Sequence, residues 1–344
     1  MPLAMPPPEW ARQRCIWTAW PSAADLWLDD LDEARANVAA MVRAIAEPSP
    51  ATGAPKGARV NVLACGAQGV QSAERMLGRC AHVVGAAFGD IWLRDTGPIF
   101  APGPDGLEAR RFRFNGWGGK YVLEHDPEVG DAIAAAAGLP VRRFDFVLEG
   151  GAVDWDGEGT VLTTRQCLLN PNRNPGWSEA RAEASLAAAL GAQKVIWLGD
   201  GLCNDHTDGH VDNLARFVAP AHVVCQTPFG ADDPNAAALE AVAAALAGQT
   251  DARGRPIQVT RIPSPGLVRD EDGDVSPASH MNFVITDRVV VMPTYEAHST
   301  GAALAALARA FPGRRTVGAP ARAILSGGGA FHCITQQQPE WSNP

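Results

Sequence analysis

The chain has 344 residues, a formal net charge of −9 and 46% hydrophobic residues. That apolar content is expected of a folded globular protein, and the acidic balance argues against nucleic acid as a partner. The seven cysteines (Cys15, Cys65, Cys80, Cys167, Cys203, Cys225 and Cys333) are scattered and contain no Cys-x-x-Cys pair. This argues for reduced thiols in the cytoplasm and against a disulfide framework or a cysteine-rich zinc site. No apolar run reaches membrane-spanning length, and the opening "MPLAMPPPEWARQRC" lacks the basic-then-apolar pattern of a secretory signal, so neither membrane nor export is expected.

In chain order, a first long helix is expected over residues 26–47, packed on the outside and followed by a Pro/Gly-rich surface loop, "EPSPATGAPKG". After it one unit recurs: an amphipathic helix, a short β-branched strand, then a loop rich in Gly and Asp. "SAERMLGR" leads to a strand at Ala81 and "EVGDAIAAAAG" to one at Val141. "SEARAEASLAAALG" leads to Val195, "PNAAALEAVAAALAG" to Val259, and "GAALAALARAF" to Arg315. Further strand-like runs, "VLTTRQCLL" and "FVITDRVVVMPT", lie between a strand and the next helix, so each unit reads strand, strand, helix, strand. Length alone favours two domains, but near-equal spacing of five junctions predicts a closed ring of like modules and one domain over residues 1–344. A doubly wound sheet is the other architecture that the alternating order allows.

The unusual residues sit in the loops after these strands. "FGDIWLRDTGP" holds Asp90, Trp92, Arg94 and Asp95, and "FVLEGGAVDWDGEGT" holds Glu149 before a glycine pair. "LGDGLCNDHTDGHVDN" holds Asp205, His206, Asp208, His210 and Asp212, and "SGGGAFHC" presents Cys333 behind three glycines. The fourth loop, "RIPSPG", carries nothing obvious. In a ring of modules such loops converge on one axis, which would place the carboxylates, histidines and thiol in a single pocket. Each piece has a plainer reading: an aspartate in a turn, a strand-end charge, or Cys333 as a small hydrophobe. The run "DHTDGHVD" is sharper, with three acids and two histidines in eight residues.

Two chemistries compete for these residues. His206, His210 and Asp212 form an H-x-x-x-H-x-D pattern that would suit zinc or iron in a metal-dependent hydrolase. Thr-Asp-Gly between the histidines is poor helix, however, and a metal gives Cys333 and Glu149 no task. The other chemistry uses every piece. Two aspartates hold a planar guanidinium by its edges, a thiolate attacks its central carbon, a histidine moves protons, and a glutamate orients the imidazole. A ring-shaped binding protein for guanidino or amine ligands would keep the acidic pocket but have no need of the thiol.

The motifs "IWLRDTGP", "FNGWGGKY", "LEGGAVDWDGEGT", "TDGHVDNLARFV" and "GGGAFHCITQQQP", with the opening "WTAWP", resemble the Porphyromonas-type peptidyl-arginine deiminase family. Within it they are similar to the agmatine deiminases of the guanidino-group modifying enzymes. The resemblance implies a five-bladed α/β propeller (pentein) that hydrolyses agmatine to N-carbamoylputrescine and ammonia, with no metal or organic cofactor. It implies Cys333 as nucleophile, His210 as general acid/base, and Asp95 and Asp212 as the guanidinium-binding pair. It also implies Glu149 as the carboxylate beside substrate and histidine, and Trp92 as an aromatic of the pocket wall. Two positions depart from the pattern: Ala330-Phe331 stands where Asn-Ile is common, and His206 where an acid is common. Arginine or another guanidino compound is therefore the alternative substrate. The expected partner is a small cationic guanidino compound, and the reading leaves a homo-oligomer open.

Overall fold

Runs rich in Val, Ile and Thr form short strands, and the alanine-rich stretches between them form helices. A computed structural model describes residues 3–341 as a mixed α/β fold. Its strands are β1 (Gln13–Ala19), β2 (Val60–Ala64), β3 (His82–Gly85), β4 (Ile99–Gly103), β5 (Gly106–Arg113) and β6 (Val141–Val147). They continue as β7 (Val153–Trp155), β8 (Thr160–Thr164), β9 (Lys194–Leu198), β10 (Ala215–Ala219) and β11 (His222–Thr227). The last are β12 (Gln258–Pro263), β13 (Val284–Ile285), β14 (Val289–Thr294), β15 (Arg315–Pro320) and β16 (Thr335–Pro339).

Four three-stranded sheets repeat one pattern: β4-β5-β6, β7-β8-β9, β10-β11-β12 and β13-β14-β15. In each, the first two strands are antiparallel and the third is parallel to the second. The connections explain this, because a tight turn can join only antiparallel neighbours whereas a parallel neighbour needs a crossover helix. Those helices are Val129–Ala137, Glu179–Leu190, Ala236–Leu246 and Thr300–Ala310, the four that the helix–strand periodicity predicts there. The remaining sheet has the order β16-β1-β2-β3. Its antiparallel partner for β1 comes from the far end of the chain, with Trp17 opposite Gln336 and Thr18 opposite Thr335. This pairing anchors the backbone just beyond Cys333.

Two elements differ from expectation. The helix expected over residues 26–47 is broken into Ala24–Trp27, a 3₁₀ turn at Leu28–Asp30, and Leu31–Ala46. Leu28 takes a positive φ of 46° at the break. Its neighbour Trp27 turns inward and donates its indole N–H to Asp90, so the side chain needed at the site interrupts the helix. Only the last of the three segments is amphipathic over several turns, burying Ala34, Val38, Met41, Val42 and Ile45 against β14 and β15. The run "VLTTRQCLL" is strand only to Thr164, whose hydroxyl caps a short helix, Arg165–Leu168, by accepting from Cys167 N. That cap holds Cys167, fully buried, in the same neighbourhood as His210.

Candidate active site

Cys333 lies in the turn just before β16 and is almost wholly buried. Asn282 holds it at three points. The Asn282 Nδ2 amide donates to Cys333 Sγ at 3.1 Å, while Oδ1 accepts from the backbone N–H of His332 at 2.8 Å and of Cys333 at 3.1 Å. The glycines before it are there for close approach. A Cβ on Gly329 would lie 2.7 Å from Trp92 Cζ3 and 3.1 Å from Cys333 Sγ, and one on Gly327 would lie 2.8 Å from Trp92. The run therefore packs flat on the Trp92 indole and leaves the sulfur in contact with the cleft. The glutamines after it bind across the fold: Gln336 donates to Pro98 O, Gln337 accepts from Arg94, and Gln338 accepts from Trp17.

Asp95, His210 and Asp212 converge on Gly151. A methyl group at that glycine would stand 2.5 Å from His210 Nδ1, 3.0 Å from Asp95 Oδ1 and 3.1 Å from Asp212 Oδ2. Asp95 is fixed by Trp117 Nε1 at 2.9 Å and by the Gly151 N–H at 2.9 Å. Asp212 Oδ2 accepts from His332 Nδ1 at 2.7 Å and lies 3.8 Å from Cys333 Sγ. Its other oxygen, Oδ1, and both ring nitrogens of His210 are buried without a hydrogen-bond partner among the described residues.

Burial would lower the His210 pKa, but Asp95, 3.8 Å from Nδ1, together with Cys167 and Glu149, raises it well above the ordinary imidazole value. Burial pushes the Cys333 thiol well up, and the Asp212 and Asp95 carboxylates push it further. Asp95 is raised by burial and by Asp212 and Glu149, against the opposing pull of His210. For Asp212 burial also acts upward, but the His332 hydrogen bond and the His332, His210 and Arg216 charges take it below the usual carboxylate range.

Gly151→Ala is expected to lower kcat/KM by roughly 100-fold, because the methyl group must displace His210 or one carboxylate from its place. Steady-state kinetics beside a thermal melt check this: a fold that melts normally but turns over as well as the wild type would contradict it.

The structure brings Cys333, His210, Asp95 and Asp212 together. Glu149 is also close but is engaged differently from the expectation: its Oε1 accepts from Arg173 Nε at 2.7 Å rather than bonding the imidazole. The guanidinium of Arg173, itself held by Asp208, competes for the carboxylate and wins on charge. His206 is a correction to the metal pattern. Asp208 and Gly209 have φ of 62° and 84°, so the loop is not helical and sends the two histidines apart. His206 is exposed, with Nδ1 2.8 Å from the Tyr121 hydroxyl, whereas His210 is buried. The described residues close enough to share an ion are Glu149, Cys167 and His210, a set containing neither His206 nor Asp212.

Three residues of the site have no role in the sequence pattern, although one of them, His332, stands inside "SGGGAFHC". Asn282 comes from the end of the long fourth loop, beyond the "RIPSPG" that carries nothing obvious, and no motif marks it. His332 is bracketed by Asp212 at Nδ1 and by Glu9 Oε2 at Nε2, 3.0 Å away. Glu9, from the proline-rich opening of the chain, also pairs with the buried Arg216, which reaches Asp154 at 3.2 Å. A charged spine thus runs Asp154–Arg216–Glu9–His332–Asp212 to the thiol. Arg216 standing between the Glu9 and Asp154 carboxylates makes this burial tolerable, since each of these charges has an opposite neighbour.

A cleft of about 230 Å³ opens onto Cys333 and Asp95. Trp92, Trp117, Tyr121, Leu26 and Leu123 supply its apolar wall, and His206 and Thr207 complete its lining with Asp90 and the glycine run. Arg94 is absent from it, being buried with Nη1 on Gln337 and Nε on His332 O.

Fold and site together define a mixed α/β protein with a thiol, an imidazole and two carboxylates around one largely buried cleft. The chain belongs to the Porphyromonas-type peptidyl-arginine deiminase family, whose model matches residues 5–339. It is 38% identical to the agmatine deiminase of Stutzerimonas stutzeri over 357 residues, covering 97% of this chain and 95% of that one. Agmatine deiminase of Pseudomonas putida is 37% identical over 358 residues, with coverage of 97% and 95%. Among solved structures, agmatine deiminase of Enterococcus faecalis superposes with a TM-score of 0.90 at 32% identity, covering 98% of this chain and 96% of that one.

Proposed function

We propose that this chain hydrolyses agmatine to N-carbamoylputrescine and ammonia, with Cys333 as nucleophile, His210 as acid/base, and Asp95 and Asp212 as the guanidinium clamp. The carrying observation is the buried, unpartnered Asp212 Oδ1 beside a thiol and a second carboxylate. An unpaired buried oxygen costs about 1–3 kcal/mol, and a guanidinium N–H supplies the donor it lacks. Four sheets of one pattern and a fifth whose β16-β1-β2 part repeats it, with β16 from the tail paired to β1 at the head, support a closed five-bladed ring acting as a single domain over residues 1–344. The seven free cysteines fit a reducing cytoplasm.

The steps follow from charge. The guanidinium offsets Asp95 and Asp212, so the thiol releases its proton to solvent as substrate enters. Sulfur then attacks the guanidino carbon and forms the C–S bond. The His210 imidazolium donates its proton to the departing nitrogen, which leaves as ammonia, and a thiouronium remains on Cys333. Neutral His210 takes a proton from water as its oxygen attacks the same carbon. The C–S bond breaks with its electron pair returning to sulfur, the remaining proton of the added oxygen passes to that sulfur and restores the thiol, and the neutral ureido product leaves. Glu149, held by Arg173, and Cys167 adjoin the imidazole and favour its protonated form.

The test is a panel of guanidino compounds with the purified protein, assayed for ammonia and ureido product. Agmatine is expected to exceed arginine in kcat/KM by roughly 100-fold, because an arginine carboxylate is left unpaired in a cleft to which the described residues contribute no Lys or Arg. Equal rates would move the assignment to arginine, and no ureido product from any compound would reject the deiminase reading. Dialysis against EDTA is expected to leave the rate unchanged. Activity lost with a stoichiometric metal and restored by it would return the site to the Glu149–Cys167–His210 cluster.

A further inference from the structure

We infer that Asp90 is a specificity-determining residue that receives the far, cationic end of the substrate: a primary ammonium a few methylenes from the guanidino group. This rests on the deiminase reading and adds a second charge-recognition point to it.

The cleft lining contains two carboxylates, Asp95 and Asp90. Asp95 belongs with His210 and Asp212 at the guanidinium end, which leaves Asp90 for another part of the ligand. Asp90 is 8% exposed. Trp27 Nε1 donates to its Oδ1 at 2.9 Å and Trp92 Nε1 to its Oδ2 at 2.8 Å. The Ile91 N–H is a third neutral donor, and an ionised carboxylate has about four acceptor sites, so room for a further donor remains. All its donors are neutral, and among the described residues no Lys, Arg or His forms an ion pair with it. A buried carboxylate facing a cleft without a cation is costly, and a cationic ligand relieves that cost.

The position suits one class of ligand. The Trp92 indole lies between the two ends of the cleft, with its Nε1 on Asp90 and its benzo edge packed on Gly329 beside Cys333. Trp27 stacks beside it, ring centroids 6.2 Å apart and planes 27° from parallel. A short polymethylene chain lying along the indole has its guanidinium at Cys333 and its ammonium at Asp90. The apolar wall gives the methylenes van der Waals contact and offers them no hydrogen bonds.

Asp90 also ties the two indoles together, so the experiment has to separate recognition of charge from support of the wall. The probes are agmatine and n-butylguanidine, which has the same four-carbon chain without the ammonium. In the wild type, kcat/KM for agmatine is expected to exceed that for butylguanidine by roughly 100-fold. Asp90→Asn is expected to erase most of this preference by lowering the agmatine value, largely through KM, while butylguanidine changes by less than about threefold. Equal loss for both compounds would show that Asp90 only positions the indoles and overturn the assignment. So would a wild type that makes no distinction between them, a result that needs no variant to fold. A well-folded wild type that turns over neither compound removes the deiminase reading and this assignment with it.

Discussion

Replacing Cys333 by serine is expected to lower turnover of agmatine by roughly 10⁴-fold or more while leaving the thermal midpoint within about 3 °C. Serine has nearly the size of cysteine and keeps the backbone bonds to Asn282. What it loses is sulfur, which is a stronger nucleophile and a stronger acid than a hydroxyl oxygen in the same place. Near-normal turnover in the variant would remove Cys333 from the mechanism. The same residue predicts a pH effect with a definite sign. Its pKa is raised by burial and by Asp212 and Asp95, so in the free protein the thiolate is scarce at neutral pH and grows as pH rises. Alkylation of Cys333 by neutral iodoacetamide should therefore be slow near pH 7 and accelerate with pH, as followed by peptide mass. A cationic haloacetamidine should react faster at pH 7, because its amidinium offsets the two carboxylates. A neutral reagent that alkylates Cys333 rapidly and independently of pH would contradict this account.

Asp212→Asn is expected to reduce kcat/KM by roughly 10³-fold, about 4 kcal/mol of lost transition-state stabilisation. The size follows from how many neighbours depend on this carboxylate. Oδ2 is the acceptor for His332 Nδ1 and lies 3.8 Å from Cys333 Sγ, and Oδ1 is the unpartnered atom offered to substrate. An asparagine keeps the outline, but it supplies one acceptor oxygen instead of two and no charge. His332 and Arg216 then lose a negative neighbour, so the thermal midpoint should fall as well. Glu9→Gln changes the same spine two steps from Asp212, beyond His332, and leaves both clamp carboxylates in place. Its effect on kcat/KM should be smaller, roughly 10-fold, because Glu9 touches the site only through its hydrogen bond to His332. Two variants with the same loss would mean that the spine acts as one unit and that Asp212 has no direct part in binding.

Much of the scaffold is legible from periodicity. Each alanine-rich helix and the strand after it fall where the spacing predicts, because a helix face and a β-branched run are local patterns. The break near Leu28 is not, since the reason for it is Asp90, a residue far along the chain that accepts from Trp27. Cys167 is a similar case. Its Thr164 cap is local, but its place beside His210 depends on the packing of separate modules.

By itself the sequence determined the chemical inventory: one cysteine behind a glycine run, a histidine-rich acidic loop, a glutamate before two glycines, and an aspartate after "WLR". These are properties of residue type and short spacing, and they suffice for a guanidinium clamp with a nucleophile. Only the tertiary structure decided the partners. It turned His206 out to Tyr121, set Arg173 rather than His210 on Glu149, and drew Asn282 to the thiol and Glu9 to His332 from segments with no motif. The physical reason is the source of these contacts. They come from pairing β16 with β1 and from stacking sheets whose loops share no neighbouring sequence, so no local pattern in the chain encodes which side chains meet.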